Sequence, residues 1–211
     1  MAKIIGVCGP QGSGKTTLLE SLKGQVKDVL VDDFKVSRHV QNELGTTSLL
    51  TNVQSSFKDM IQFQLKIATT KFKHDDELLK RNDADIILVE RTFIDVLTYT
   101  TIWTHELIKK NILIGTSELL KDITNLTLLC IDGHARYSGI VYLPFMSHIQ
   151  WQTDNKRAPQ HNINDFEVIS SDLKKGLFSD VKFDNIKFHT VESETVIDRT
   201  TEVVNFINSL K

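Results

Sequence analysis

Short apolar runs alternate along the chain with longer stretches in which apolar residues recur at helical spacing. A run rich in β-branched residues predicts a buried strand, whereas apolar positions three and four apart predict an amphipathic helix. The predicted strands are 3–8, 28–33, 85–90, 140–144 and 187–191. The predicted helices begin or lie at about 17–22, 34–40, 53–81, 93–109, 165–177 and 194–210.

The longest predicted helix lies between the second and third strands. Residues 51–54, Thr-Asn-Val-Gln, have the form of a capping box, in which side chains satisfy the free N–H groups at a helix start. Apolar residues then follow helical spacing toward Arg81. We therefore expect a helix of about thirty residues, or about 45 Å. Its apolar face comprises Val53, Phe57, Met60, Ile61, Ala68 and Phe72.

The middle of the chain is ambiguous, because residues 126–131 fit either a strand or a turn of buried helix. We interpret them as helical and take 140–144, which ends at Pro144, as the core strand. The helix at 93–109 is expected to place Ile94, Leu97, Thr101 and Ile108 on one face. Residues 148–164 are polar and predict a loop.

Strands that alternate with helices indicate an α/β fold with a parallel, doubly wound sheet. Continuous apolar runs such as 86–89 support this, because parallel strands are covered by helices on both faces. At 211 residues the chain suits one domain spanning 1–211. The predicted fold class is therefore a three-layer α/β/α arrangement around a five-stranded parallel sheet.

Composition and charge limit the expected partners and the expected cellular location. The net charge of −2 supplies no global basic field for nucleic acid or anionic membranes, although a local basic patch could still bind DNA. The two cysteines, Cys8 and Cys130, are expected to be reduced thiols in a cytoplasmic compartment. We predict no membrane span, because no apolar run reaches about 18 residues, and no signal peptide, because the glycine-rich segment at 9–14 begins almost at the N-terminus.

Residues 9–16 read GPQGSGKT, the GxxxxGKT pattern of the phosphate-binding P-loop or Walker A motif. The motif stands between a predicted strand and a predicted helix, where its backbone N–H groups and the helix dipole can cradle phosphates. Lys15 should reach the β- and γ-phosphates of ATP, and the Thr16 hydroxyl should ligate Mg²⁺. The predicted nucleotide-binding residues are Gly9, Gln11, Gly12, Ser13, Gly14, Lys15, Thr16 and Thr17.

A P-loop alone does not separate kinases from GTPases or motor ATPases. The sequence has no Asn-Lys-x-Asp guanine selector, and no Asp-x-x-Gly follows the third strand. Instead Glu90 ends that strand and Arg91 follows it, where an acid can hold Mg²⁺ and an arginine can hold an acceptor or migrating phosphate. Lys156 and Arg157 lie in the polar stretch after the fourth strand and suit a mobile lid that excludes water. These features favour a small phosphotransferase.

Four segments carry a resemblance to a known family: GPQGSGKT at 9–16, DDFKVSR at 32–38, ERTFID at 90–95 and WQTDNKR at 151–157. The chain resembles the P-loop nucleoside and nucleotide kinases, especially the AAA-type kinase-like domains of bacterial ribosylnicotinamide kinases and of bacteriophage proteins. ERTFID is also similar to the Glu-Arg-Ser motif of deoxynucleoside kinases and the Asp-Arg motif of thymidylate kinases. The resemblance implies strand order 2-3-1-4-5 and a lid at about 148–164.

Two departures from the family pattern concern the acceptor side and the lid. The lid reads Asp-Asn-Lys-Arg where such domains more often have Asp-Gly-x-Arg. The second strand ends in Asp32 and Asp33 where deoxynucleoside kinases place a glutamate. Adjacent strand residues face opposite ways, so only one of these two is expected to orient the acceptor hydroxyl, preferably Asp33.

The expected acceptor side is built from several other residues. Arg38 and Arg91 would bind the acceptor, and an acceptor that already carries phosphate would account for two arginines. Lys156 would contact the substrate and Arg157 would act in catalysis. Aromatic candidates to stack on the acceptor base are Phe34, Tyr99 and Trp151, and the loop 192–194 would enclose adenine with backbone groups.

The leading hypothesis is an ATP- and Mg²⁺-dependent kinase of a (deoxy)nucleoside or its monophosphate. One alternative is a kinase acting on a hydroxymethylated pyrimidine within phage DNA, with a basic edge at Lys71, Lys73, Lys80 and Arg81. Another is an ATP-binding regulator without transfer activity. A small-molecule acceptor is the expected partner, and DNA and a second copy of the chain are left open. The expected location is the cytoplasm, or the host cytoplasm for a phage protein.

Overall fold

The computed structural model describes residues 2–45, 56–109, 117–145, 162–179 and 185–211. The predicted capping box at 51–54 and most of the predicted lid loop lie outside these ranges. The described strands are β1 (Lys3–Cys8), β2 (Val29–Val31), β3 (Ile86–Glu90), β4 (Tyr137–Tyr142) and β5 (Lys187–Thr190). The described helices are α1 (Lys15–Leu22), α2 (Val36–Glu43), α3 (Phe57–Leu79), α4 (Phe93–Lys109), α5 (Ser117–His134), α6 (Asn162–Ser179) and α7 (Val196–Asn208).

The five strands form one parallel sheet in the order β2-β3-β1-β4-β5. This confirms the predicted three-layer α/β/α class and the strand order that the resemblance implied. Alternate residues of a strand face opposite sides. Ile4 and Cys8 of β1 therefore pack into the larger core beneath α2, α3, α4 and α5, whereas Ile5 and Val7 pack toward α1 and α7.

The long helix α3 begins later than the sequence indicated. Ser56 has extended backbone angles and its hydroxyl accepts a hydrogen bond from the Asp59 amide, so Ser56 is the N-cap. The prediction of a helix starting near Val53 and approaching thirty residues was wrong, because α3 has 23 residues. A Ser-x-x-Asp pair satisfies the same N–H groups as the Thr-x-x-Gln pair that we favoured.

Other element predictions hold with shifted boundaries. Residues 126–131 are helical within α5, as interpreted, and β4 begins at Tyr137, three residues before the predicted start. Helix α6 begins at Asn162, inside the predicted loop. Ile94 and Leu97 are buried as expected, but Ile108 is 50 % exposed, and Trp103 and Leu107 cover the core instead. No described helix has the length and apolar character needed to cross a membrane.

Gly133 of α5 provides a test of the packing beneath the sheet. Alanine normally stabilises a helix interior by about 1 kcal/mol relative to glycine. A Cβ at this position, however, would lie 2.4 Å from Cε2 of the fully buried Phe93 ring. Because such overpacking costs about 1–3 kcal/mol, Gly133→Ala is expected to lower the melting temperature in thermal unfolding.

The matched control for Gly133→Ala is Asn125→Ala on the exposed side of the same helix, which should leave the melting temperature unchanged or slightly raised. A Gly133→Ala protein as stable as the control would show that Phe93 is not confined against α5.

Candidate active site

The P-loop connects β1 to α1 at the carboxyl edge of the sheet. Gly9, Gly12 and Gly14 have φ values of 142°, 85° and 89°, which side chains rarely adopt. A Cβ on Gly9 would also lie 2.2 Å from the Leu143 carbonyl oxygen. Helix α1 begins at Lys15 without an acidic residue or side-chain cap in its first turn. Its free N–H groups and dipole therefore form an anion-binding end.

Lys15 is buried in this loop, and its ammonium is held by backbone carbonyls. Nζ donates to the Gly9 oxygen at 2.8 Å and to the Pro10 oxygen at 2.6 Å. Burial, followed by repulsion from Arg91, lowers the pKa of Lys15 to about 8. The lysine is thus a desolvated cation beside the amide cradle, where an anion would stabilise its charged form.

Thr16 and Glu90 meet at the centre of the sheet edge, because β1 and β3 are neighbours in register with Val7 opposite Glu90. The Thr16 hydroxyl donates to Glu90 Oε2 at 3.1 Å. Lys35 forms an ion pair with the same oxygen. Burial opposes ionisation of Glu90, but the Lys35 hydrogen bond and the Arg91 charge outweigh it and keep the carboxyl pKa below its usual value.

This pair suits a magnesium ion that arrives with a nucleotide. Mg²⁺ prefers oxygen ligands and commonly takes one or two from protein and the others from phosphates and water. Thr16 and Glu90 supply a hydroxyl and an ionised carboxylate side by side. The described residues contain no group of three or more histidine, cysteine or acidic side chains that could hold a metal without such help.

Arg91 and Asp95 link the third strand to the P-loop. Arg91 has a φ of 68°, an uncommon conformation for a non-glycine residue, and its amide donates to the Val7 oxygen at 2.8 Å. Asp95 accepts hydrogen bonds from the amides of Thr92 at 2.7 Å and Gly9 at 3.3 Å, and lies 3.7 Å from the Arg91 guanidinium. Sequence reasoning assigned Asp95 no role, although Thr-x-x-Asp at 92–95 has the form of a helix cap.

A cavity of about 310 Å³ opens beside Thr16 and Glu90. It is enclosed by the β2–α2 segment, by α3 and by the β3–α4 segment. The structure brings the predicted residues Phe34, Arg38, Glu90, Arg91 and Tyr99 together in its wall. The guanidinium of Arg91 lies 5.1 Å from the centre of the Tyr99 ring. Other lining residues are Gln11, Lys35, Val36, Ser37, Gln41, Phe63, Gln64, Ile67, Lys71, Asp95, Val96 and Trp103.

Asp32 and Asp33 do not line this cavity, contrary to the expectation that one would face the acceptor. Asp33 is exposed and pairs with Lys23, the residue just after α1, at 3.0 Å. Asp32 pairs with His74 of α3 at 2.9 Å. Phe34, rather than either acid, lines the cavity, and its ring stacks on His74, the partner of Asp32, with ring centroids 4.1 Å apart. Trp151, Lys156 and Arg157 lie outside the described residues.

Of the four residues predicted to form a basic edge, Lys73, Lys80 and Arg81 are exposed, but Lys71 is not. Lys71 is only 3 % exposed, lies 3.2 Å from both oxygens of Asp75 and lines the cavity. The Tyr137 hydroxyl donates to the same carboxylate at 3.0 Å. Arg81 pairs with Asp83. The i, i+4 spacing of Lys71 and Asp75 was the signal for this buried pair, because such residues share a helix face.

Gln64 is a second cavity residue that sequence reasoning missed. It lies one turn of α3 before Ile67 and Ala68, is 4 % exposed and lines the cavity. Its amide makes no hydrogen bond with the described residues. Because Gln64 lines the cavity, its amide is available to hydrogen-bond with a ligand or with water there. The signal available in the sequence was the glutamine itself, a polar residue at a position on the apolar face of the helix.

Helix α7 holds the loop that follows β5. Glu202 accepts hydrogen bonds from the Ser193 amide at 3.1 Å and the Ser193 hydroxyl at 2.6 Å. Arg199, which is buried, donates to the Ser193 oxygen at 2.9 Å and to the Ser13 oxygen at 2.8 Å. In a trans peptide the N–H points away from the carbonyl, so holding the Ser13 oxygen also orients the Gly14 amide. Sequence reasoning did not identify Arg199.

Comparison with solved structures gives strong likenesses at low sequence identity. NadR, solved with NAD and AMP-PNP, matches with a TM-score of 0.68 at 11 % identity, over 99 % of this chain and 49 % of that one. The thymidylate kinase of Candida albicans matches with a TM-score of 0.61 at 14 % identity, over 99 % and 92 %. The deoxyadenosine kinase of M. mycoides matches with a TM-score of 0.67 at 13 % identity, over 98 % and 99 %.

The chain spans about half the length of the NadR chains that it matches. It matches no protein-family model and no curated protein. The structural likenesses extend over nearly the whole chain and include its sheet topology. The chain therefore has the fold of the P-loop nucleoside and nucleotide kinases.

Proposed function

We propose that this protein is an ATP-dependent phosphotransferase that moves the γ-phosphate of ATP to a (deoxy)nucleoside or its monophosphate. One observation carries the proposal. The P-loop and the Thr16–Glu90 pair stand at the mouth of a cavity with cationic and aromatic walls, which is of the size that small ligands occupy. Phosphoryl transfer needs this arrangement of donor and acceptor sites more than it needs covalent chemistry.

On the donor side, the amides of residues 12–17 would hold the β- and γ-phosphates, with the Lys15 ammonium beside them. Thr16 and Glu90 would hold Mg²⁺, which neutralises charge on the phosphates. The loop 192–194, held by Arg199 and Glu202, would enclose adenine. Arg199 contacts both this loop and the P-loop, so it can fix the position of the adenine site relative to the phosphate site.

On the acceptor side, the aromatic rings of Phe34, Tyr99 and Trp103 offer surfaces for a planar base. The unpaired amide of Gln64 can both donate to and accept from the edge of such a base. Arg91 lies between this cavity and the P-loop, where its charge can stabilise the phosphoryl group in transit. Lys156 and Arg157 would cover the site as a lid.

The proposal is tested by incubating the protein with ATP, Mg²⁺ and a panel of nucleosides and nucleoside monophosphates. We expect ADP formation that depends on one acceptor and a matching phosphorylated product by chromatography. Hydrolysis at the same rate with every acceptor would contradict the proposal. Tight ATP binding without transfer to any acceptor would favour the regulator alternative.

The affinity for ATP should depend on pH through Lys15. Its pKa of about 8 means that the free protein loses the ammonium as the pH rises through 8, whereas a bound triphosphate favours the charged form. We expect ATP affinity to fall by up to about tenfold per pH unit above this value. Calorimetric titrations across this range test it, and a Lys15→Met variant should bind ATP weakly without the same pH dependence.

A further inference from the structure

We propose that the acceptor is a phosphate monoester, of the nucleoside monophosphate class, and that its phosphate binds at the first turn of α2 beside Lys35 and Arg38. This inference rests on the proposed kinase function and narrows its acceptor. The fold leaves the choice open, because the matched structures include both a deoxyadenosine kinase and a thymidylate kinase.

A hydroxyl acceptor needs a group that takes its proton, and in this fold the natural candidates are carboxylates near the P-loop. The two acids that follow β2 are unsuitable, because neither lines the cavity. Asp32 is bound to His74, and Asp33 faces solvent beside Lys23, at the end of α1.

The two acids that do line the cavity are already engaged. Asp95 accepts two backbone amides and lies beside Arg91, so it holds the P-loop to the third strand. Glu90 contacts Thr16 and Lys35. These two contacts, and its proposed role as a Mg²⁺ ligand, already occupy its carboxylate. Among the described residues, no acid of the cavity wall is free to serve as the base.

A phosphate monoester does not need that base. Its second pKa is about 6, so the attacking oxygen is already ionised at neutral pH. Such an acceptor instead requires cations, which hold its doubly charged phosphate close to the phosphates of ATP.

The cavity wall supplies those cations. Lys71 pairs with Asp75, Arg91 lies beside Asp95, and Lys35 pairs with Glu90. Arg38 lines the same cavity and has no carboxylate partner among the described residues. Arg38 is therefore the cation of this cavity wall whose charge remains available to bind a ligand.

The backbone of α2 adds to this charge. Residues 35–38 all line the cavity, and they form the N-cap and first turn of an eight-residue helix. No side chain caps the free N–H groups of this turn, and it contains no acidic residue. An uncapped helix start with a lysine and an arginine is favourable for phosphate.

Gln64 is an independent sign that the cavity holds a ligand. Its side chain is 4 % exposed and lines the cavity without a hydrogen-bonding partner among the described residues. An amide both donates and accepts, which suits the edge of a nucleobase. The first turn of α2 would bind the phosphate, and the Gln64 amide would bind the base. One cavity thus offers a site for each part of a nucleoside monophosphate.

The experiment compares each nucleoside with its own 5′-monophosphate, using ATP, Mg²⁺ and the whole chain. We expect a diphosphate product, with kcat/KM for the preferred monophosphate at least about 100-fold above that of the matching nucleoside. Preference for a nucleoside, or for hydroxymethylated DNA, would overturn the inference and leave a kinase in place. No transfer to any acceptor would overturn the proposed function itself.

An Arg38→Gln variant tests the phosphate site. We expect KM for the monophosphate to rise about tenfold or more while KM for ATP is unchanged, since a charge-assisted bond to phosphate is lost. The unchanged ATP value also shows that the variant is folded. Lys58→Gln, at an exposed position of α3 outside the cavity, is the matched control and should alter neither KM. An unchanged monophosphate KM in Arg38→Gln would overturn the assignment.

Discussion

Replacing Lys15 by methionine is expected to lower kcat/KM for phosphoryl transfer by about 10³-fold, the largest effect that we predict for a single side chain. The ammonium is buried beside the P-loop amides, where it donates to the carbonyl oxygens of Gly9 and Pro10. It would therefore supply a preorganised charge to the phosphates in the transition state, which water cannot replace at a buried position. Steady-state rates at saturating and limiting ATP measure the loss.

Lys15→Met should not owe its loss of activity to unfolding. The lowered pKa means that the fold disfavours the ammonium, a penalty that is full below pH 8 and disappears between pH 8 and 10.5. At neutral pH methionine removes this penalty, so the melting temperature should not fall. Lys23→Met, an exposed position just after α1, is the matched control and should retain activity. Activity of Lys15→Met within about tenfold of the unaltered protein would contradict the P-loop assignment.

Replacing Glu90 by glutamine is expected to lower kcat by about 10²-fold to 10³-fold and to raise the Mg²⁺ concentration needed for half-maximal rate. The carboxylate touches the Thr16 hydroxyl and is held ionised by Lys35 and Arg91. The amide has nearly the same shape but carries no charge, so it would be a poorer ligand for a hard cation. The measurement is a series of rate curves over Mg²⁺ concentration at fixed ATP.

Glu118→Gln is the matched control for Glu90→Gln, because Glu118 is an exposed acid in the first turn of α5. It should leave the Mg²⁺ dependence unaltered. A Glu90→Gln protein with unaltered Mg²⁺ dependence would remove this residue from the metal site. If instead only the acceptor KM changed, Glu90 would be acting through Lys35.

Local patterns predicted the elements that depend on neighbouring residues. Strand β1 covers the predicted residues 3–8, and the ambiguous stretch at 126–131 is helical as interpreted. The predicted start of α3 was wrong because two local capping signals compete there. Ser56 and Asp59 cap α3 in place of the earlier capping box, and an equally good cap nearby cannot be ranked from letters alone.

The direction of side chains beyond a strand was not predictable in the same way. Asp32 and Asp33 were chosen because acids near a P-loop suit proton transfer, yet pairing with His74 and Lys23 holds them outside the cavity. His74 belongs to α3 and Lys23 is the C-cap of α1, so only the packing of separate helices decides the outcome. The same packing buries Lys71 against Asp75 and Tyr137.

By itself the sequence determined the P-loop, the order of strands and helices along the chain, and the position of Glu90 and Arg91 at the end of a buried strand. Each of these depends on consecutive residues whose backbone conformation is local. The tertiary structure alone decided which side chains form the acceptor cavity. That wall joins Arg38, Gln64 and Tyr99 from three helices far apart in the chain, and long-range packing of those helices on the sheet brings them together.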